Sequence, residues 1–269
     1  TANGSYKAGD SIAISATTSE SVISGSEIVA TLDSGAHVTL TAASTGSTLS
    51  GTYTVGSGET SADLTVSSFT ISSVLDAAGN TMTSTAVPSG TSNIAGAKAI
   101  VIDTTAPTIA QMAVSGDGSY KAGQSLTITA TTNEPVRSGN TITVTFDTGE
   151  TLTLTAASAG TTLTGTYTVA SGINSTDLTV TSFAVGTVLD TAGNAMTSTA
   201  LPSGANAIGP GTAVVIDTTA PTIVSFTSST SNGSYKAGQT ISITATVSEA
   251  VQAGNSITAT LNSGATVTL

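Results

Sequence analysis

The chain has 269 residues, enough for two or three domains that each bury a hydrophobic core. Its 16 acidic residues outnumber 5 basic ones and leave a net charge of −11, so nucleic acid is predicted to be a poor partner. The absence of cysteine excludes disulfides, thiolate metal sites and thiol nucleophiles. No apolar run approaches the ~18 residues of a membrane span, so no membrane insertion is predicted.

An internal repeat organises the sequence. The motif Gly-Ser-Tyr-Lys-Ala-Gly around Tyr6 returns around Tyr120 and Tyr235, and Val-Ile-Asp-Thr-Thr-Ala-Pro occurs at 101–107 and 215–221. The repeat predicts three units, which we call unit one (1–103), unit two (104–217) and unit three (218–269). Unit three stops where unit one reaches Leu40, so it is predicted to be only the N-terminal part of a repeat.

Within each unit the apolar residues alternate with Ser and Thr, which is typical of β-strands with one buried face. Ile12, Ile14 and Ala16 open the pattern in unit one, and further alternating runs follow in chain order. No window has the spacing of a long helix. Gly, Ser, Asn and Asp turns separate seven or eight short strands per unit. We therefore predict an all-β fold of tandem Ig-like antiparallel β-sandwich domains in an elongated chain.

The direction of successive strands predicts where acidic residues meet. Loops of a sandwich fall alternately at its two ends, which places the linker Asp103, Glu134 and the loop from Asp190 to Asn194 at one end of unit two. The corresponding residues are Glu20, Asp76 and Asn80 in unit one, and Asp217 and Glu249 for unit three. We expect the unit-two set to converge at the junction of units one and two.

Carboxylates that meet at close range repel one another unless a cation lies among them. Oxygen donors without His or Cys favour Ca²⁺, which takes six to eight oxygens. The alternative is that Asp76 and Asp190 only make Asx turns and the linker Asp only caps a strand end. Metal at the opposite end, near Asp33, Asp63, Asp147 and Asp177, stays open as well. The alternative for Asp63 and Asp177 is that they only cap the strands they precede.

These motifs resemble those of a known family. The Val-Ile-Asp-Thr-Thr-Ala-Pro linkers, the Ser/Asn-Glu pair at 19–20 and 133–134, and the Leu-Asp-x-Ala-Gly-Asn loops resemble the tandem bacterial immunoglobulin-like (Big-type) repeats of giant calcium-dependent surface adhesins. The resemblance covers all three units. It implies extracellular display at the cell surface, with calcium stiffening the junctions between neighbouring repeats and the adhesive ligand bound elsewhere.

Catalysis is not predicted. His37 is the only histidine, and Thr151 and Thr266 occupy its place in the other units, so no repeated triad exists. A serine without a base is not a nucleophile. The sequence therefore favours a non-enzymatic extender of a large adhesin. The second prediction is a subunit of an extracellular filament, sheath or surface layer, in which an identical neighbouring chain completes unit three.

Overall fold

The computed structural model describes residues 1–269 and contains almost only β-structure. The helical segments are a single α-helical turn, α1 (Ile94–Ala97), and two 3-10 turns at Gly90–Ser92 and Gly204–Asn206. The predicted all-β fold class is therefore correct, and no long helix interrupts the strands. The sandwich and Ig-like character of the units stays a prediction.

Unit one contains a five-stranded antiparallel sheet in the order β2-β5-β4-β3-β6. β1 and β7 lie outside this sheet and pair with each other in parallel. The strands are β1 (Gly4–Tyr6), β2 (Ser11–Val22), β3 (Glu27–Leu32), β4 (His37–Thr41), β5 (Gly46–Thr54), β6 (Val66–Ser73) and β7 (Ile100–Ile102).

Unit two repeats this arrangement and adds one strand. Its antiparallel sheet has the order β14-β11-β12-β13-β10-β8, and β9 pairs in parallel with β15. The strands are β8 (Ile109–Val114), β9 (Gly118–Tyr120), β10 (Ser125–Val136), β11 (Thr141–Phe146), β12 (Thr151–Thr155), β13 (Gly160–Thr168), β14 (Val180–Val185) and β15 (Val214–Ile216). β8 is the additional strand, and it forms the edge of the sheet beside β10.

Unit three contains two separate strand pairs. β16 (Ile223–Thr227) pairs with β17 (Thr244–Val247), and β18 (Thr258–Thr260) pairs with β19 (Thr266–Thr268). No side chain between 218 and 269 is buried. Large apolar side chains are instead exposed, including Phe226 at 54% and Val224 at 64%. These strands therefore have no hydrophobic core in this chain.

The alternating pattern places the apolar residues of units one and two in two separate cores. The first contains 16 buried residues between Ile12 and Ile102, and the second contains 22 between Ile109 and Ile216. β2 shows the principle: Ile12 and Ile14 are buried, whereas Ala13 between them and Ser15 after them are exposed. Burial of these faces is the main source of stability for each unit.

In each sheet one glycine allows two neighbouring strands to approach each other closely. β12 and β13 are paired only at Thr155 and Thr164, and the chain then passes very close to β12 at Gly165. A Cβ at Gly165 would lie 2.7 Å from the backbone oxygen of Thr153. Gly51 approaches β4 in the same way in unit one. These positions require glycine because no side-chain atom fits between the two strands.

A buried tyrosine bonds a carboxylate in units one and two, but the acid comes from different loops. Tyr53 donates to Oε2 of Glu59 at 2.6 Å, whereas Tyr167 donates to Oε2 of Glu150 at 2.5 Å. Burial, reinforced by the bond to Glu59, raises the pKa of Tyr53 to about 12. The sequence has Ile173 where Glu59 is expected and Ala36 where Glu150 is expected. Units one and two thus form the same tyrosine–carboxylate bond with acids from different loops.

Because units one and two supply this carboxylate from different loops, we expect that the acid bonded to Tyr53 can be relocated within unit one. Glu59→Ile removes the carboxylate from Tyr53 and is expected to lower the stability of unit one by about 2 kcal/mol, since bonds to charged groups contribute on that order. Adding Ala36→Glu restores the acid from the loop used in unit two and is expected to recover at least half of the loss. Urea unfolding of both single variants and the double variant measures the coupling.

The tyrosine pKa provides a second readout of the same exchange. The raised pKa of Tyr53 contributes stability that is complete below pH ~10, the unfolded value, and is lost as pH rises through about 12. Glu59→Ile should return the tyrosinate absorbance midpoint toward 10, and Ala36→Glu should raise it again. Additive effects in the double variant would contradict the exchange.

Candidate metal centre

The loop Asp190–Asn194 folds around the carboxylate of Asp190. Oδ1 of Asp190 accepts from the backbone nitrogens of Gly193 at 2.6 Å and Asn194 at 2.8 Å. Gly193 has a φ of +98°, which a residue with a side chain rarely adopts. A β-bridge from Val136 to Asp190 ties the loop to the end of β10. As a result the side chain of Asp190 is only 1% exposed.

The linker is fastened to the same end of β10. The side chain of Asn133 accepts from the backbone nitrogen of Thr108 at 2.6 Å, and the backbone nitrogen of Asn133 donates to the oxygen of Thr108 at 3.1 Å. Glu134 is the next residue, so this clasp brings it beside the linker. Asp103 lies on the other side, where its backbone nitrogen bonds the oxygen of Tyr6 in β1 at 2.9 Å.

Asp103, Glu134 and Asp190 form one cluster, which we call the acidic cluster. A carboxylate oxygen from each residue lies within 4.8 Å of one from each of the others. Burial raises the pKa of Glu134, and the negative charges of Asp103 and Asp190 raise it further. The predicted convergence of these three side chains is therefore present, and it carries an electrostatic cost.

Asn194 connects the acidic cluster to the linker by a route that the sequence did not predict. Its Nδ2 donates to the backbone oxygen of Asp103 at 2.8 Å and to Oδ2 of Asp190 at 2.7 Å. An asparagine that ligates calcium presents its carbonyl oxygen to the ion. In this structure its amide nitrogen faces the cluster instead, so Asn194 positions the two aspartates.

Two cationic side chains also contact the loop, and sequence reasoning missed both. Nζ of Lys7, from unit one, donates to the oxygen of Gly193 at 3.1 Å, and Nη2 of Arg137 donates to the oxygen of Thr191 at 3.0 Å. The lysine contact joins units one and two directly. Lys7 belongs to a recurring motif, but nothing in the repeat indicates that it reaches the following unit.

The equivalent residues of unit one make the turn but not the cluster. Nδ2 of Asn80 donates to Oδ2 of Asp76 at 2.7 Å, and the bonds from Asn80 lower the pKa of Asp76. Glu20 is exposed, and no third carboxylate joins this pair. In unit one the hydrogen bonds are those of the alternative prediction, an Asx turn.

The junction of units two and three contains the counterparts of two residues of the acidic cluster. Asp217 corresponds to Asp103, and Glu249 corresponds to Glu134. Asp217 is exposed and its Oδ1 accepts from the backbone nitrogen of Thr219 at 3.0 Å, as Asp103 does from Thr105. The serine before Glu249 bonds the linker at Thr222, as Asn133 does at Thr108. Oε1 of Glu249 is buried and has no hydrogen-bond partner. A buried carboxylate oxygen without a partner is costly.

Of the aspartates at the opposite ends of the units, Asp33 and Asp147 are already satisfied by protein groups. Oδ2 of Asp33 accepts from the hydroxyl of Ser61 at 2.7 Å and its Oδ1 from the nitrogen of Thr65 at 2.9 Å. Asp147 makes the same two bonds in unit two. These residues hold loops together, and the acidic cluster is the one place where three potential ligands converge.

No protein family, curated protein or solved structure was found that matches this chain. None of its helical segments has the length and apolar character needed to traverse a bilayer. The proposed function therefore depends mainly on the geometry of the acidic cluster.

The raised pKa of Glu134 predicts a pH dependence whose sign depends on calcium. In chelator the folded state holds this proton more tightly than the unfolded chain, so stability should fall as pH rises from 4.5 through the raised pKa. A calcium ion bound at the acidic cluster would compete with the proton, so any stabilisation by calcium should grow over the same interval. Thermal unfolding across this range, with and without calcium, measures both slopes.

Glu134→Gln is the control for this titration. It keeps a side chain of the same size and removes the ionisable group, so the interval above pH 4.5 should lose its chelator-dependent slope. An unchanged slope in this variant would assign the effect to another carboxylate.

Proposed function

We propose that this chain is a non-enzymatic, calcium-stiffened extender of a large bacterial surface adhesin, displayed outside the cell. The observation that carries the proposal is the acidic cluster, in which one ligand comes from the linker and two come from unit two. A cation held there restrains the linker relative to the unit that follows it. Such a segment extends the adhesin away from the cell surface, and this role needs no ligand-binding pocket.

The composition of the cluster fits Ca²⁺. Two oxygens bound to one calcium at 2.3–2.6 Å lie at most about 5 Å apart, and the three carboxylates meet that limit. Asp190 is almost completely buried, so water cannot offset the charges around it. Asp103, Glu134 and Asp190 would hold the ion, with Asn194 positioning two of them. The ion supplies the positive charge that these carboxylates need.

The expected affinity indicates the compartment. Extracellular calcium modules typically have Kd values of about 10⁻⁴ to 10⁻³ M, which matches calcium outside cells rather than in the cytosol. Three carboxylates with a partly exposed Glu134 favour this range over the tighter sites of cytosolic buffers. The absence of cysteine and the Ser- and Thr-rich strand faces agree with display in solution.

A catalytic role finds no support in the surroundings of the only histidine. Nδ1 of His37 lies 3.1 Å from the hydroxyl of Thr31 on an exposed strand face. No carboxylate orients the ring, and a general base needs such a partner to activate a hydroxyl.

Small-angle X-ray scattering with calcium and with chelator tests the proposal. We expect chelation to broaden the distribution of distances between units one and two and to leave each unit folded by circular dichroism. Lys7→Ala in calcium is a useful comparison, because it removes the direct contact to Gly193 but keeps all three carboxylates. An unchanged maximum dimension and flexibility on chelation would overturn the stiffening role.

A further inference from the structure

An Asn-Gly pair lies at the start of β1 in unit one. Asn3 is exposed, and its Oδ1 accepts a hydrogen bond from the backbone nitrogen of Ala99 at 3.3 Å. The backbone nitrogen of Gly4 donates to the backbone oxygen of Ala99 at 2.9 Å. Ala99 directly precedes β7, so it holds both the side chain of Asn3 and the nitrogen of Gly4 where the pairing of β1 with β7 begins.

The fold requires a glycine after Asn3. Gly4 has a φ of +148°, and Gly118, at the same place in unit two, has a φ of +129°. Residues with a side chain rarely adopt such angles. Glycine is also the residue that least hinders an attack by its own nitrogen on the preceding side chain, because it has no Cβ. The conformation of β1 therefore keeps a chemically reactive dipeptide at this position.

Unit two shows that the repeat needs only the oxygen of this side chain. Asp117 occupies the position of Asn3, and its Oδ1 accepts from the backbone nitrogen of Ala213 at 3.0 Å. The nitrogen of Gly118 donates to the oxygen of Ala213 at 2.9 Å, as in unit one. Aspartate is the product of hydrolysing an asparagine amide. It therefore fits this position without loss of a hydrogen bond.

We propose that Asn3 is a site of spontaneous deamidation and that the pairing of β1 with β7 controls its rate. The nitrogen of Gly4 attacks Cγ of Asn3, the bond from Cγ to Nδ2 breaks, and Nδ2 leaves as ammonia with the proton of the Gly4 nitrogen. Water then opens the succinimide ring and gives aspartate or isoaspartate at position 3. The attacking nitrogen is free only when its bond to Ala99 opens, so the paired strand is the protected state.

The two products differ in their effect on the junction of units one and two. Aspartate keeps the acceptor oxygen, as Asp117 does in unit two. Isoaspartate carries the backbone through the side chain and lengthens it by one methylene, so β1 cannot keep its register with β7. In that register the oxygen of Tyr6 bonds the nitrogen of the linker residue Asp103. Isoaspartate is therefore expected to loosen the linker as the protein ages, whether or not calcium binds.

Peptide mapping by mass spectrometry, during incubation in chelator at neutral pH, tests the inference. A peptide of residues 1–10 gives the rate without strand pairing, and Asn3 in the folded chain should react at least about tenfold more slowly. Tyr6→Ala removes the side chain that packs β1 against the core, so the rate should move toward that of the peptide. Tyr120→Ala is the matched control, because it makes the same change in unit two. It should leave the rate at Asn3 unchanged.

The products provide a second readout. Fragmentation of the modified peptides distinguishes isoaspartate from aspartate, and both should form at position 3. Asn3→Asp should leave the urea midpoint of unit one unchanged, whereas aged molecules that carry isoaspartate should unfold at lower urea. Circular dichroism confirms that each variant is folded. The inference is overturned if Asn3 reacts as fast in the folded chain as in the peptide, or if Tyr6→Ala does not accelerate the reaction.

Discussion

Gly165→Val is expected to destabilise unit two by about 3 kcal/mol or more. The first side-chain carbon would lie 2.7 Å from the backbone oxygen of Thr153 and 2.8 Å from Cδ2 of Leu154. Leu154 could rotate, but the backbone of β12 cannot withdraw without breaking its ladder to β11. Overpacking of this kind typically costs 1–3 kcal/mol, and a clash with fixed backbone raises the cost further.

Two other glycines provide the comparison for this substitution. Gly51→Val should be at least as damaging in unit one, because a Cβ there would lie 2.2 Å from the oxygen of Thr39. Gly46→Val should change stability by less than about 0.5 kcal/mol, since a Cβ at Gly46 meets nothing within 4 Å. Urea unfolding of the three variants measures the order. Equal effects at Gly46 and Gly165 would refute the steric explanation.

Gly165→Val is also expected to affect the proposed calcium binding at the acidic cluster. β13, which contains Gly165, pairs with β10 along most of its length, including Val136 opposite Gly160. β10 carries Glu134 near its end, so distortion of β13 displaces one carboxylate of the acidic cluster. We therefore expect Gly165→Val to weaken calcium binding even where unit two remains folded.

The strands could be predicted because alternation is a local property of the sequence. The runs at Ile12 to Ala16 and Ile142 to Phe146 appear as strands with the expected faces buried. The parallel pairs could not be predicted in the same way. β1 and β7 join segments at opposite ends of a unit, and alternation within a strand does not indicate which other strand it pairs with.

Long-range convergence was predictable where loop order alone decides it. Counting strand reversals brought Asp103, Glu134 and Asp190 together, and the structure places them in one cluster. The partners of that cluster depend on side-chain reach, which loop order does not encode. The contact of Lys7 with Gly193 and the orientation of the Asn194 amide therefore required coordinates.

The tyrosine–carboxylate bonds show another limit of comparing the repeats residue by residue. Alignment of the units pairs Glu59 with Ile173 and Ala36 with Glu150, which suggests unrelated acids. In space both acids reach the same tyrosine position. Neither substitution alone signals the bond, because the requirement is for one carboxylate near the hydroxyl, whichever loop supplies it.

Asp190→Asn is expected to abolish the calcium-dependent stabilisation of unit two. Calcium at a hundredfold excess over its Kd adds about 2.7 kcal/mol to a folded state that alone binds it. The variant lacks the most deeply buried negative charge of the cluster. It also turns one Asp190 oxygen into an amide donor facing Nδ2 of Asn194, so its baseline stability should fall too. The difference between calcium and chelator isolates the loss of binding from that structural cost.

Asp76→Asn is the matched control for this experiment. Asp76 makes the same turn, with bonds from the nitrogens of Ala78 and Asn80, but no linker acid or half-buried glutamate lies beside it. Its substitution should lower baseline stability and leave the calcium response intact. Calorimetry in both conditions, with direct titration of calcium, compares the two variants. A calcium response that survives in Asp190→Asn, or vanishes in Asp76→Asn, would place the ion elsewhere, because only the first variant alters the cluster that joins the linker to unit two.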